Sequence, residues 1–518
     1  MEAALQNKTF LIKTFGCQMN SADTQRMSVL LSEVGAKQAQ HVDDADIILI
    51  NGCEIREKAV GKALSSLGVL RKSKTKKQVI GMGGCVGQLE GSKLFSRNPH
   101  LDFVFGTDTI DELPEILQEV FSGGHHIVYN AFDKSRKYST ETKIFKPEEF
   151  ASCKSNTIQC PSAFVNIMKG CDKFCSFCIV PYTRGREKSR TLEEVVEDVE
   201  RLVSNGIKEV VLLGQNVNSY GKGTLDTFPK LLQAIDQIPD LKRIRFTSSH
   251  PTDFSDELIE CYGTLKKLCP QLHLPVQSGS NSVLEKMQRH YKIETYYEQI
   301  QKWRKLCKSG GLSTDIILGF PTETEEDFEL TLKLLEDLRF DLVYSFAYSP
   351  RPGTKAALLK DDVPHEIKHE RLLKFQKKAV EIACENNQKF IHQTVEVLVE
   401  TQAKAMKSAP SQNMFMGRTP CGRVVNFPYD GSAEPPEHRE ACGAIPSEVC
   451  GAIQGQGADV GRFRNEVVGK FINLEITSAT GLALTGKIPD YLAHELPFFP
   501  LDISTVPYVR SRDGGTRA

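Results

Sequence analysis

Between residues 157 and 387, short apolar runs alternate with longer amphipathic segments, and this repeat restricts the folds open to the chain. Runs of about five apolar residues predict buried strands, and the segments over 192–203 and 327–338 have helical spacing. Strands that alternate with helices form a parallel sheet, either flat or partly closed into a barrel, with ligands at the carboxyl ends of the strands. Six strands are predicted, over 164–168, 209–213, 243–247, 271–275, 314–318 and 342–347.

A cysteine triad follows the first of these predicted strands. Cys171, Cys175 and Cys178 stand in the sequence GCDKFCSFC, with C-x3-C-x2-C spacing. Three thiolates on one short loop can hold three irons of a four-iron cluster and leave the fourth iron open to a small molecule. A structural zinc site is the alternative, but zinc normally takes four protein ligands and the sequence offers no fourth one nearby. The spacing therefore favours an open iron–sulfur centre.

Three further cysteines, Cys17, Cys53 and Cys85, each end an apolar, strand-like run and lie beside a glycine. The carboxyl ends of parallel strands share one edge of a sheet, so these distant thiols can converge on one site. Three unrelated buried thiols are the alternative, because free cysteine is often buried. The repeated strand-end placement favours a second open cluster.

Composition narrows the class of protein. The 518 residues are 25% charged and 40% apolar, which is ordinary for a globular protein of two or three domains. The net charge of −1 gives no general attraction to nucleic acid, so RNA binding would need local basic patches. No apolar run approaches the roughly 20 residues that span a bilayer, and the start MEAALQNK lacks a signal core. Fifteen cysteines without a signal sequence predict a reducing, cytoplasmic location.

The chain divides into three predicted domains. Residues 8–125 alternate strands and helices and carry the second trio, and residues 157–387 carry the triad. Residues 390–487 contain short alternating strands, which are typical of a small antiparallel β-barrel. An insert over about 428–465 and a tail over 488–518 have no assigned role.

These motifs together resemble the methylthiotransferase family of radical S-adenosylmethionine (SAM) enzymes over about residues 8 to 487. GCQMN, EIREKA and PYTRGREKSR match the branch that acts on dimethylallyladenosine. Gly52 and Glu54 depart from the usual N-T-C-S-I-R-E-K around Cys53. The other matching stretches are GCVGQ, LLGQNVNSYG, RIRFTSSHP, LHLPVQSGS, DIILGFPTETEEDF and YSPRPGT.

The resemblance implies an α/β protein with an N-terminal cluster-binding domain, an incomplete (β/α)6 radical-SAM barrel and a C-terminal β-barrel similar to the RNA-binding TRAM domain. It implies two [4Fe–4S] clusters. The first, on Cys171, Cys175 and Cys178, would cleave SAM. An auxiliary cluster on the other trio, Cys17, Cys53 and Cys85, would present sulfur. The expected reaction adds a methylthio group to C2 of N6-dimethylallyladenosine beside the anticodon of tRNA.

Five residues are candidate SAM contacts: Phe177, Gly214, Gln215, Asn216 and Gly319. Phe177 is expected to pack either on the adenine or in the core. Gln215 and Asn216 offer carbonyl acceptors to the SAM amino group, or else cap the next helix. Gly319 allows a ligand to approach the backbone, or serves a tight turn.

Basic residues are the candidate RNA contacts. Arg184, Arg186 and Arg190 follow the triad, and arginine binds phosphate through paired hydrogen bonds. A second basic run, over 71–77, more often forms a solvated surface. The expected partners are the tRNA anticodon stem-loop, SAM and a flavodoxin-like electron donor, for a monomeric enzyme without membrane attachment.

Two other functions stay open. The first is the same chemistry on a ribosomal protein or on threonylcarbamoyl-adenosine in tRNA, and GCQMN and EIREKA argue against it. The second is a non-catalytic iron–sulfur protein that binds RNA and senses redox state. The strand-end motifs LLGQNVN and LGFPT argue against it, because a sensor needs no such binding site.

Overall fold

The computed structural model describes residues 5–54, 57–75, 77–132, 161–403, 413–429 and 467–489. The predicted insert over about 428–465 and the tail over 488–518 lie almost entirely outside these residues. The described residues form three packed units, and no helix within them is long and apolar enough to cross a membrane.

The first unit is a six-stranded parallel sheet with helices on both faces. Its strands are β1 (Thr9–Phe15), β2 (Lys37–Gln38), β3 (Ile47–Gly52), β4 (Val79–Gly83), β5 (Phe103–Phe105) and β6 (Ile127–Tyr129). Its helices are α1 (Gln18–Glu33), α2 (Glu57–Ser73), α3 (Gly84–Glu90), α4 (Lys93–Arg97) and α5 (Leu113–Phe121). The strand order is β2-β1-β3-β4-β5-β6, so β1, β3 and β4 are neighbours and end at one edge.

The second unit contains the predicted arc of parallel strands, together with a short antiparallel pair formed by its second and third strands. Its strands are β7 (Ser162–Asn166), β8 (Met168–Lys169), β9 (Lys188–Ser189), β10 (Glu209–Leu213), β11 (Arg243–Phe246), β12 (Gln271–His273), β13 (Gly311–Leu318) and β14 (Leu342–Ala347). Its helices are α6 (Val180–Arg184), α7 (Leu192–Ser204), α8 (Phe228–Asp236), α9 (Asp256–Thr264), α10 (Asn281–Lys286), α11 (Ile293–Leu306), α12 (Glu325–Leu338) and α13 (His365–Gln388).

Strand order in this unit confirms the incomplete (β/α)6 barrel. The parallel sheets β7-β10-β11 and β12-β13-β14 are joined by a parallel bridge from Ile244 to Leu268. Within the described residues β7 and β14 do not pair, so the barrel stays open between them. Its core includes Trp303, the one tryptophan of the sequence, which is fully buried.

The third unit is a closed five-stranded barrel. It contains β15 (Thr394–Gln402), β16 (Met414–Arg418), β17 (Val424–Pro428), β18 (Phe471–Ala479) and β19 (Leu484–Lys487), in the order β15-β16-β17-β19-β18. All neighbouring pairs are antiparallel except β17 and β19, which run parallel. The small C-terminal barrel is confirmed, with this one parallel pair as the difference from expectation.

The small barrel packs against the amino ends of the large barrel's strands. Arg245, in β11, donates to the carbonyl oxygens of Thr419 at 2.8 Å and Pro420 at 2.9 Å. Its Nε also donates to the buried carboxylate of Glu209 at 2.8 Å. Arg243 donates to the carbonyl of Arg418 at 2.8 Å. Because Arg243 and Arg245 are buried, carbonyls of the small barrel satisfy charges that belong to the large one.

Arg245→Met should therefore destabilise the large barrel. Removing one member of a buried ion pair costs about 3–5 kcal/mol, because Glu209 would stay buried without its partner. Trp303 fluorescence during urea unfolding measures the loss. Lys242→Met, at an exposed residue just before the same strand, should change stability by no more than about 0.5 kcal/mol. Equal urea midpoints for the two variants would contradict the interpretation of this interface.

Candidate active site

The first cysteine triad lies on the loop between β8 and α6, at the carboxyl end of the large barrel. The backbone N–H of Cys171 donates to Gly185 O at 3.2 Å, and that of Cys178 donates to Cys175 O at 3.0 Å. Ser176, between two of the thiols, donates its backbone N–H to the carbonyl of Met287 just after α10, at 2.9 Å. The loop is thus held to two different parts of the barrel.

The thiols of this triad differ in their surroundings. Burial raises the pKa of Cys171 and of Cys178 to about 12. Cys175 instead accepts a hydrogen bond from Arg289 Nη1 at 3.4 Å, and His250 Nε2 lies 3.9 Å from its sulfur. Burial and the charge of Arg289 lower the pKa of His250, which keeps the ring neutral. Neutral thiols release protons when they bind metal, so metal loading and thiol ionisation are coupled.

Buried polar atoms without partners surround the triad, at the strand ends and loops that face it. Each unsatisfied buried group costs roughly 1–3 kcal/mol, so these atoms favour a polar ligand that would pair with them. SAM carries an ammonium, a carboxylate and ribose hydroxyls, and both donors and acceptors are present here to match them. The unpartnered atoms are Gln215 Nε2, Asn216 Oδ1, Ser249 Oγ, Arg289 Nε and Tyr348 OH.

Two of the sequence-predicted SAM residues have clear packing roles. Phe177 packs against the cluster of apolar side chains that includes Phe320 and Tyr348. A Cβ on Gly214 would fall 2.5 Å from Met168 Cγ, so glycine lets the end of β10 approach β8. The SAM contacts of both residues stay predictions.

The other three predicted SAM residues lie at the ends of β10 and β13. Gln215 Oε1 accepts a hydrogen bond from the backbone N–H of Gly170, which ties β10 to the triad loop. Asn216 donates to Asp253 Oδ2 at 2.8 Å and makes no side-chain cap for the short helix that follows. Gly319 has φ +68°, and a Cβ there would fall 2.3 Å from Lys368 Cγ. Gly319 therefore serves close packing with α13, and its predicted contact with SAM is untested.

The second trio converges as its strand positions predict. Cys17 is the N-cap of α1, Cys53 follows β3, and Cys85 lies in the first turn of α3. A Cβ on Gly16 would fall 2.4 Å from Cys53 Cβ, so the chain is closely packed here. A hydrogen bond with Cys53 and the charge of Arg184 lower the pKa of Cys17 to about 6, against the effect of burial. Burial raises the pKa of Cys85.

That each trio holds a cluster stays a prediction. No three metal-binding side chains within the described residues lie close enough together to hold one metal ion. In a four-iron cluster each thiolate binds a different iron, so its ligands stand further apart than those of one zinc. Soft thiolate donors also favour iron–sulfur clusters.

The structure changes the interpretation of the basic residues after the triad. Arg184 is only 6% exposed and pairs with Asp23 at 2.6 Å, and Arg190 is 4% exposed and pairs with Asp198 at 2.8 Å. Direct phosphate contact by these two does not fit their burial, because their charges are already satisfied inside the protein. The side chain of Arg186 is 67% exposed, so it stays a candidate RNA contact.

The basic run over 71–77 is also partly buried. Lys74 donates to the carboxylate of Asp102 and to the carbonyl of His100. Arg71, Lys72 and Lys77 are exposed, and Lys76 lies outside the described residues.

Sequence reasoning did not find Arg289 or His250, which approach Cys175 from distant parts of the chain. His250 lies within the stretch RIRFTSSHP that matches the family. The match marked this residue but did not indicate its contact with Cys175. Glu54, the departure beside Cys53, is buried with one carboxylate oxygen unpartnered, and burial raises its pKa to about 7.

Comparison with known proteins identifies the family. Residues 165–335 match the Radical SAM superfamily, and residues 9–106 match Uncharacterized protein family UPF0004. The tRNA-2-methylthio-N(6)-dimethylallyladenosine synthase of Myxococcus xanthus is 44% identical over 430 residues, which cover 82% of this chain and 90% of the relative. The synthase of Protochlamydia amoebophila is 41% identical over 81% of this chain and 90% of its own. The chain belongs to this family. It is a radical SAM enzyme of the tRNA-2-methylthio-N(6)-dimethylallyladenosine synthases, as its motifs predict.

A solved structure supports the fold. The radical SAM methyltransferase TsrM from Kitasatospora setae, with tryptophan substrate and a SAM analogue bound, has a TM-score of 0.50 and 14% identity. The match covers 68% of this chain and 75% of that one. At this identity the likeness concerns the fold alone.

Gly170→Ala should disrupt the triad loop. Gly170 has φ +78°, and a Cβ there would fall 2.0 Å from Arg186 O, so the backbone of the loop would have to move. We expect the variant to bind less iron after anaerobic reconstitution and to cleave SAM more slowly. Gly123→Ala is the matched control, because Gly123 has φ +105° with no atom near the added Cβ. Equal iron contents in the two variants would refute a role for this close contact.

Proposed function

We propose that this chain adds a methylthio group to C2 of N6-dimethylallyladenosine, next to the anticodon in tRNA. The observation that carries the proposal is the juxtaposition of two thiol trios. Helix α6, which begins two residues after Cys178, packs against α3, which contains Cys85. Sulfur held at one site therefore lies beside the site of SAM cleavage.

The first site is assigned to SAM cleavage. Cys171, Cys175 and Cys178 would hold a [4Fe–4S] cluster whose open iron binds SAM. When bound, cluster and SAM supply the one-electron chemistry that no side-chain base can provide at C2 of an adenine. Arg289 orients Cys175 by donating a hydrogen bond to its sulfur, and it is held in place by the carbonyl of Pro275 at 2.5 Å.

The second site is assigned to sulfur. Cys17, Cys53 and Cys85 would hold the auxiliary [4Fe–4S] cluster, and the all-thiol donor set fits that group. The charge of Arg184 favours the thiolate form of Cys17. It also opposes the burial that raises the pKa of Cys85.

The remaining partners follow from this chemistry. One-electron reduction needs an external donor, for which a flavodoxin-like protein is suited. The enzyme would act as a monomer in the cytoplasm, where tRNA and reduced thiols coexist. The C-terminal barrel is assigned to tRNA binding by its resemblance to TRAM domains.

Helix α2 offers a phosphate-binding surface in place of Arg184 and Arg190. Lys58, Lys62 and Lys72 are exposed on one face of α2, along about 21 Å of helix, and within the described residues they make no ion pair. The helix begins four residues after Cys53 and so leads away from the second site. A groove of about 510 Å³ beside it is lined by Phe15, Lys58, Gly61, Lys62, Ser65, Ser66 and Val69.

Replacing Cys171, Cys175 and Cys178 together with Ala tests the two-cluster assignment. Iron content should fall from about eight to about four per chain, because one cluster would remain on the second trio. The triple variant at Cys17, Cys53 and Cys85 should give the same iron content. Loss of all iron from either variant, or zinc in its place, would contradict the assignment.

The same two variants separate the reaction steps. Without the first cluster no 5′-deoxyadenosine should form. Without the second, SAM cleavage should persist while no methylthio nucleoside appears in dimethylallylated tRNA, as measured by nucleoside mass analysis. Methylthio product from the variant at Cys17, Cys53 and Cys85 would exclude the sulfur-presenting role.

Replacing Lys58, Lys62 and Lys72 together with Gln should weaken tRNA binding and its salt dependence. Each lost phosphate contact lowers the slope of log Kd against log salt by roughly 0.7–0.9, so three contacts should remove about 2–3. The control replaces Lys266, Lys305 and Lys308 with Gln, three exposed lysines at the amino end of the large barrel. Identical slopes for the two variants would show that α2 does not contact RNA.

A further inference from the structure

A buried ion pair joins the first two units. Arg184 ends α6 and pairs with Asp23 of α1 at 2.6 Å, and both side chains are less than one-tenth exposed. The backbone carbonyl of the preceding residue, Thr183, accepts a hydrogen bond from Thr107 Oγ1 at 2.6 Å, which fixes the end of α6 on the first unit. The guanidinium of Arg184, which belongs to the large barrel, is therefore buried inside the N-terminal unit.

This charge lies among the thiols of the second trio. Asp23 follows Cys17 by six residues along α1, and α6 packs on α3, which carries Cys85. The positive charge of Arg184 acts on the thiols of both Cys85 and Cys17. The pair thus consists of a cation near two ligand thiols and a carboxylate that partly neutralises the cation.

The first trio has a different charge balance. Arg289 donates to Cys175 at 3.4 Å, but within the described residues no carboxylate pairs with it. Its other partners are the carbonyl of Pro275 and the ring of Tyr291. Each trio therefore has one buried arginine at a thiol, and only the arginine of the second trio carries a counter-ion.

We propose that Arg184 and Asp23 are positioning residues that set the reduction potential of the second cluster through the fixed charge beside its ligands. The proposal rests on the proposed second [4Fe–4S] site. Reduction adds negative charge to a cluster, so a neighbouring cation favours the reduced form. Asp23 opposes that effect. The pair therefore holds the potential between the value expected with Arg184 alone and the value expected with Asp23 alone.

Single substitutions of the pair should shift the potential in opposite directions. Arg184→Gln removes the cation and should make the midpoint potential of the second cluster more negative. Asp23→Asn leaves the cation uncompensated and should make the potential more positive. Arg184→Lys keeps the charge and should return the potential toward the value of the parent protein. A purely structural role predicts loss of cluster from each variant and no such reversal of sign.

The measurement is a redox titration of the cluster's electron paramagnetic resonance signal. Full-length protein with Cys171, Cys175 and Cys178 replaced by Ala is the background, so that the second cluster alone contributes. Glu209→Gln is the matched control, because Glu209 and Arg245 form a comparably buried ion pair at the amino end of the large barrel. Breaking that pair should leave the potential unchanged, since it lies at the opposite end of the barrel from the triad loop that leads into α6.

The outcomes separate the inference from the proposed function. A background protein without any cluster would overturn the second site itself. A cluster with an unchanged potential in Asp23→Asn, or with shifts of the same sign in both single variants, would overturn only the role of the ion pair. If Arg184→Gln loads no iron, the shift in Asp23→Asn decides the question, and a negative or absent shift there rejects the proposal.

Discussion

The buried ion pair between Arg184 and Asp23 joins α6, which follows the triad loop, to α1, which begins at Cys17. A buried pair is stable only when both charges are matched, because either one alone would remain desolvated without a partner. Moving α6 away from the N-terminal unit would therefore leave both charges without a partner. The triad loop precedes α6 directly, so the geometry of the first site depends on the packing that holds the second.

The two ends of the large barrel differ in whether their buried polar atoms have hydrogen-bond partners. At the carboxyl end, atoms of Gln215, Asn216 and Arg289 are buried without partners, which marks a surface made for a ligand. At the amino end, the guanidinium of Arg245 has protein acceptors for its hydrogen bonds, namely Glu209, Gln271, Thr419 and Pro420. Membership of the synthase family agrees with this division, since chemistry in a parallel barrel belongs at the carboxyl ends of its strands.

Much of this arrangement could be predicted from the sequence. Buried parallel strands are nearly continuous apolar runs, and all six predicted barrel strands are present within a few residues. The convergence of Cys17, Cys53 and Cys85 followed from their places after three strands that prove to be neighbours. The local sequence predicts this convergence because it marks where each strand ends, and the ends of neighbouring parallel strands lie at one edge of the sheet.

The partners of charged side chains could not be predicted in the same way. Arg184 and Arg190 have the composition of an exposed phosphate-binding loop, yet each is buried against a carboxylate. Asp23 lies 161 residues from Arg184, and no periodicity connects the two. For the same reason Arg289 was missed, because its contact with Cys175 spans 114 residues. Burial of a charge depends on tertiary packing, which a single sequence does not encode locally.

The position of the small barrel has a consequence for how such enzymes diversify. A domain that is attached only by a linker can be exchanged between relatives or lost without affecting its neighbour. Here the backbone carbonyls over 418–420 close the floor of the catalytic barrel by accepting hydrogen bonds from Arg243 and Arg245. Any replacement domain must supply the same acceptors, so recombination at this boundary is restricted to partners that keep this turn. We therefore expect the C-terminal barrel and the large barrel to be inherited as one unit.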